Sequence, residues 1–319
     1  MELLSEQKKV WRDLEQGYEF LKDIKTREIT CDGFFVRVQH NPGRITSTFA
    51  DMREKTVNGR PCFLCLPNLP ENQKGIIYNK EFLILCNPMP VFSGHLTIAR
   101  IVHKPQAISE HIDFFLRLMS DFSGGWSILY NGPNCGASAP DHLHFQAIPS
   151  GNMPIEKEIT DENKLFRIAH VSNVLISRTH GLGRELLILE GDDPVGIAGI
   201  FKKIVAGLKK NFNTDNEPMM NIIGSHDKET WRLIVFPRLK HRPDAFFEEG
   251  DARVAVSPAV IEMGGTMVTP LEKDFKGLDA STVESIFKEV SLKNETVKNI
   301  IDVVVESLRN SNSQLPTSL

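Results

Sequence analysis

Apolar residues recur along this chain with two periods, and the switches between them outline the elements. Leu3, Val10, Trp11, Leu14, Tyr18 and Leu21 recur mainly at three- and four-residue steps with charges between. This predicts a helix from Leu3 to Ile24 whose stripe packs on the rest of the chain rather than on a partner. Phe34 to Gln39 alternates as a strand. His40 to Arg60 is polar and predicts an extended arm, with Arg44 and Arg53 solvated although within reach of a phosphate. Phe82–Cys86 and His95–Arg100 predict strands, Ile108–Phe122 a helix, and Trp126–Tyr130 and His142–Ile148 two more strands. The polar run SGNMPIEKEIT (150–160) marks a break. Beyond it, strands are expected near 164–170, 172–178 and 185–190, then a helix over 193–211 capped by Asp192 or Asp193. Strands near 218–223, 230–236, 253–262 and 266–271 follow, then helices over 280–290 and 293–308 and a loose tail, SNSQLPTSL.

Strand, strand, helix, strand, strand is the order across 76–149, and the second half repeats strands, one helix, strands. The expected class is α+β, with two similar halves, 1–155 and 156–319, each an antiparallel sheet carrying a helix.

Length and composition narrow the function. The 319 residues are 41% hydrophobic and 24% charged, with a net charge of −4. That balance gives no electrostatic case for nucleic acid or an anionic membrane. No apolar run has the ~18 residues needed to span a bilayer. The first residues, MELLSEQKKVWRDLEQ, lack the apolar core of a signal peptide. Five Cys in a chain of this size do not suggest a disulfide framework. The expectation is a reduced, cytoplasmic protein in which the Cys62-x-x-Cys65 thiols are free to bind a metal.

The candidate chemistry lies in WSILYNGPNCGASAPDHLHFQAIP (126–149). His142, His144 and Gln146 share one face of the predicted strand, and Leu143, Phe145 and Ala147 the other. The loop before them is made of small residues, so its N–H groups can approach an anion closely. Imidazoles beside bare backbone donors suggest chemistry on a phosphate. A solvated polar strand is the bland alternative.

Three pieces carry a family resemblance: PCFLC, CNPMPVFSGHLTIARIVH and YNGPNCGASAPDHLHFQ. Residues 61–146 resemble the histidine triad superfamily. The likeness is to the branch of galactose-1-phosphate uridylyltransferase, the diadenosine tetraphosphate phosphorylases (ATP adenylyltransferases) and plant GDP-L-galactose phosphorylase, in which Gln replaces the third His. MMNIIGSHDKETWRLIVFPR adds a looser likeness to the C-terminal half of the adenylyltransferases.

The resemblance implies nucleotidyl transfer by double displacement on a dinucleoside polyphosphate or nucleotide sugar. Inorganic phosphate or a sugar phosphate would be the acceptor, and a homodimer is left open. It places the nucleophile at His144, Asn87 near the ribose and Asn131 near the phosphates. It also suggests a structural zinc on Cys62, Cys65, His103 and His142, a closed set of four ligands. A zinc-bound His142 has no lone pair to spare, which favours His144 as the attacking group. Gln146, Ser138 and the N–H groups of Gly136, Ala137 and Ser138 are suited to donate to phosphoryl oxygens. Lys240, with His241 and Arg242, is either a phosphate clamp or a solvated basic turn. A nucleotide hydrolase or a non-catalytic nucleotide-binding protein on the same scaffold are the alternative readings.

Overall fold

The computed structural model describes residues 2–50, 56–57 and 59–312. Arg53 and most of the expected loose tail lie outside them.

One antiparallel sheet of ten strands runs through both halves. The first half contributes β3 (Gly75–Tyr78), β4 (Phe82–Cys86), β5 (Leu96–Arg100), β6 (Trp126–Asn131) and β7 (His144–Pro149). From the second come β8 (Leu165–Val171), β9 (Val174–Thr179), β10 (Leu187–Gly191), β11 (Met220–Asp227) and β12 (Thr230–Pro237). The spatial order is β3-β4-β5-β7-β6-β11-β12-β10-β9-β8. Each half therefore has the same order, with its last two strands exchanged, and the halves meet where β6 pairs with β11. In that pairing Asn131 stands opposite Asn221. The expected repeat is present, but as one sheet rather than two.

Alternation explains the two faces of the sheet. Phe82, Ile98, Ile128, Tyr130 and Phe145 point to one side. There they are covered by Ile112–Asp121, Pro194–Phe212 and Asn294–Asn312, which are α4, α6 and α10 in chain order. α6 begins where Asp193 accepts a hydrogen bond from the Val195 N–H and ends at Asn213 in the left-handed conformation, a start and a stop that short polar side chains favour. On the opposite side, the second half is closed by β1 (Lys25–Thr30), β2 (Phe35–His40), β13 (Thr266–Thr269) and α9 (Ala280–Val290). The first half keeps that side open as a cavity.

Several expectations needed correction. The N-terminal helix is two, α1 (Glu2–Val10) and α2 (Arg12–Lys22), broken at Trp11, whose extended backbone turns the indole into a small core with Leu4, Leu14, Tyr18 and Cys86. The arm after His40 is not extended. It forms a 3-10 turn at Pro42–Arg44 and then α3 (Ile45–Thr48). Residues 253–262 are not a strand, because their backbone groups bond loops and side chains instead of a ladder. Ala255 N–H donates to Asp274 and Val260 N–H to Asn131, and the segment ends in α7 (Val260–Met263). β1 was missed because it is an edge strand rich in charge, with little apolar alternation to signal it. No helix among the described residues is long and apolar enough to cross a membrane.

Candidate active site and metal centre

The open side of the first half is a cavity of about 710 Å³. His144 and Gln146 of β7 line it together with Asn87, Asn131, Gly136, Ala137 and Ser138. Helix α2 and the turn at 42–48 form one wall, and His241, Arg242, Ser257 and Glu262 of the second half form another.

β7 starts at His144, so His142 belongs to the turn before it, where its N–H donates to the Ala139 carbonyl at 3.1 Å. His144 is 3% exposed. Its Nδ1 lies 2.8 Å from the His142 carbonyl oxygen. A carbonyl only accepts, so Nδ1 carries the proton and Nε2 keeps its lone pair. Burial pushes the His144 pKa down to about 4, and the ring is neutral near pH 7. The buried Gln106 amide fixes the backbone here: it accepts from His144 N–H at 2.8 Å and donates to the carbonyls of Asn131 and His144 at 2.8 and 3.0 Å. Gln146 accepts a 2.7 Å hydrogen bond from His95 Nε2.

The small-residue loop is held from the second half. Arg238 is fully buried and donates to the carbonyls of Val290, Pro258, Lys240 and His241 and to Asn221 Oδ1. Asn221 in turn donates to Asn131 Oδ1 and the Cys135 carbonyl, both at 2.8 Å. Asn131 Oδ1 also accepts from the Val260 N–H at 2.8 Å. Asn131 thus ties the loop to α7, and Asn87 accepts from Met89 N–H at 2.9 Å in its own turn. Gly136 has φ +107°, and a Cβ there would fall 2.5 Å from the Ala259 Cβ, so this position requires glycine.

Lys240 does not line the cavity. Its ammonium is taken by Glu289 and by Asp244 at 2.7 Å; Arg242 of the same basic turn reaches the cavity instead, bonding Ser257 Oγ at 2.8 Å and the Thr48 carbonyl at 2.8 Å.

Behind the HxHxQ segment, Cys62, Cys65, His103 and His142 converge, with one donor atom from each lying within 4.8 Å of the others. Cys62 Sγ is 3.2 Å from His142 Nδ1, and Cys65 Sγ is 3.2 Å from His103 Nδ1. A tetrahedral site with bonds of ~2.0–2.3 Å has edges of roughly 3.3–3.8 Å, so the group can hold a metal ion with little movement. The outer nitrogen of His142 already points at the Arg100 carbonyl, 2.6 Å away, as an imidazole ligand usually does. His95, Gln106, Asn221 and Arg238 escaped the sequence reading, because each is defined by contacts across the fold rather than by local spacing.

Residues 3–149 match the family model described as a domain of unknown function, DUF4922. Residues 157–311 match that of the GDPGP1-like C-terminal domain. The chain is 27% identical over 241 residues to GDP-L-galactose phosphorylase 2 of Arabidopsis thaliana, and 26% over 259 residues to GDP-L-galactose phosphorylase 1. In sequence the chain is similar to the GDP-L-galactose phosphorylases, the branch that its 61–146 motifs resemble. The matches take in 72% and 79% of the chain but 52% and 54% of the two relatives, so the chain spans about half the length of the curated relatives it matches. In fold it is similar to yeast Ap4A phosphorylase Apa2, with a TM-score of 0.61 at 13% identity over 89% of this chain and 97% of that one. In this chain the HxHxQ segment and the Cys/His cluster are joined through one residue: His142 gives its side chain to the cluster and its carbonyl to His144.

Proposed function

We propose that this protein is a nucleotidyl-transferring phosphorylase that passes a nucleoside monophosphate through His144. The observation that carries the reading is the His144 ring: Nδ1 is committed to the His142 carbonyl, which leaves Nε2 as an unprotonated donor on a residue that lines the cavity. The lone pair of Nε2 forms a bond to the α-phosphorus of a dinucleoside polyphosphate or nucleotide sugar. The P–O bond to the leaving nucleotide or sugar phosphate breaks, and its electron pair departs on oxygen. In the second step an oxygen of inorganic phosphate bonds the same phosphorus, the N–P bond breaks, and the pair returns to Nε2. A nucleoside diphosphate leaves when phosphate is the acceptor.

In this reading, Gln146, Ser138 and the N–H groups at Gly136 and Ala137 donate to the phosphoryl oxygens as charge builds on them. Gln146 donates without titrating, so the leaving group is not protonated by it, which suits transfer to phosphate better than a reaction needing a general acid. Asn87 and Asn131 would frame the nucleotide. A zinc ion on Cys62, Cys65, His103 and His142 would have no open position and would supply structure only. It would fix His142, and through its carbonyl the tautomer of His144. The relatives named above carry the word phosphorylase, which agrees with this chemistry.

The test is mass spectrometry after incubation with a panel of dinucleoside polyphosphates and nucleotide sugars, with and without inorganic phosphate. The expected result is a nucleoside monophosphate adduct on His144 that phosphate discharges. An adduct on another residue, or release that needs only water, rejects the proposal.

A further inference from the structure

His95 sits under the cavity and is 1% exposed. It immediately precedes β5, and its ring is bonded at both nitrogens. The Val91 N–H donates to Nδ1 at 3.3 Å, so Nδ1 holds the lone pair. Nε2 therefore carries the proton and donates it to Gln146 Oε1 at 2.7 Å. Burial, with Arg44 nearby, pushes the His95 pKa down to about 4 against the opposing pull of the Gln146 bond, and the ring stays neutral.

The two ends of a primary amide are nearly equal in shape and opposite in effect on an anion. With the nitrogen toward the cavity, Gln146 donates to a phosphoryl oxygen; with the carbonyl there, it repels one. A flipped amide would set its NH2 against the His95 Nε2–H, and the ring could accept it only by moving its proton to Nδ1, against the Val91 N–H. Both escapes oppose two donors in a buried place. We propose that His95 is a positioning residue that locks the Gln146 amide with its nitrogen toward the phosphoryl group being transferred. The inference rests on the transfer reading above. It makes Gln146 a donor of one fixed direction, set by a residue 51 positions away.

A double-mutant cycle tests it. His95→Phe keeps the ring shape and removes the donor, so kcat should fall about 10- to 100-fold while KM changes by less than about threefold. His95→Gln, whose Nε2 reaches the place of the imidazole Nε2, should recover most of the loss. In the Gln146→Met background, His95→Phe should cost nothing further. Effects that multiply in the double variant, or an unchanged kcat in His95→Phe, overturn the inference. If His95→Phe does not fold, 15N NMR of wild-type protein labelled at histidine decides: a ring protonated at Nε2 is expected, and one protonated at Nδ1 overturns it. A wild-type protein that turns over no nucleotide removes the transfer reading and this inference with it. Turnover combined with an Nδ1-protonated His95 removes this inference alone.

Discussion

In the proposed reading His142 and His144 divide the labour by which nitrogen faces the chemistry: Nδ1 of His142 lies against the Cys62 and Cys65 sulfurs, and Nε2 of His144 is left for the cavity. His144→Ala should lower turnover at least 10³-fold and abolish adduct formation while leaving the unfolding midpoint within a few degrees of wild type. His142→Ala should lower stability first, with activity lost as the His144 ring loosens; steady-state kinetics beside thermal unfolding separates the two. Gly136→Ala is expected to cost about 2–5 kcal/mol, because it joins a left-handed backbone to a Cβ overlap with Ala259. Denaturant titration measures it, and a loss under 1 kcal/mol would show that the loop yields. At this scale much of the site was legible. A period of two put His144, Phe145 and Gln146 on their correct sides, and the small residues of 132–139 marked the loop whose Gly136, Ala137 and Ser138 line the cavity. His95 and Gln106 were not legible, since a buried amide or imidazole announces itself only through partners far along the chain. Lys240 misled because a sequence shows charge but not the Glu289 and Asp244 that take it up.

Among the elements, the connection between the last two strands of each half carries the difference between them. In the first half it is residues 132–143, which hold the small-residue loop. In the second it shrinks to Lys228–Glu229, both with positive φ (47° and 64°), a two-residue hairpin turn. The second half has the strand order but only a hairpin at the place of that loop, and it contributes a wall of the cavity. The order of strands and helices could be read from periodicity because most elements alternate against a core. Residues 253–262 could not: Val256, Val260 and Ile261 are buried in the core while Arg238 and Asn131 bond their segment's backbone, and an apolar run does not say what bonds its backbone. The Cys62–Cys65 turn is the element that a metal would pin to His142. Protein purified without chelators should contain about one zinc per chain, and stripping it should lower Tm by roughly 5–15 °C. Elemental analysis and calorimetry check this, and metal-free protein of equal Tm would refute it.

For the whole molecule, burial of imidazoles sets a response to acid. His95 is pushed down to about 4 by burial, and His241 to about 3 by burial with Arg242 and Arg238. Unfolded, both would titrate near 6.5. Between those values the unfolded chain binds more protons, so the stability these groups allow is complete above pH 6.5 and falls as pH drops toward 4. The slope is about 1.4 kcal/mol per pH unit for each imidazole. Denaturant unfolding at pH 7.5, 6 and 5 should show the decline, and a flat profile would contradict it.

The joining of the halves through β6 and β11 also has a consequence in time. Asn131 and its partner Asn221 are 90 residues apart. At ~5–20 residues per second, a ribosome needs roughly 5–20 s to deliver the second after the first. Once β7 has followed, β6 presents an open, apolar strand edge until β11 arrives, the kind of surface on which nascent chains pair wrongly with their neighbours. Whatever shields that edge during synthesis protects the same strand that later carries Asn131 to the cavity.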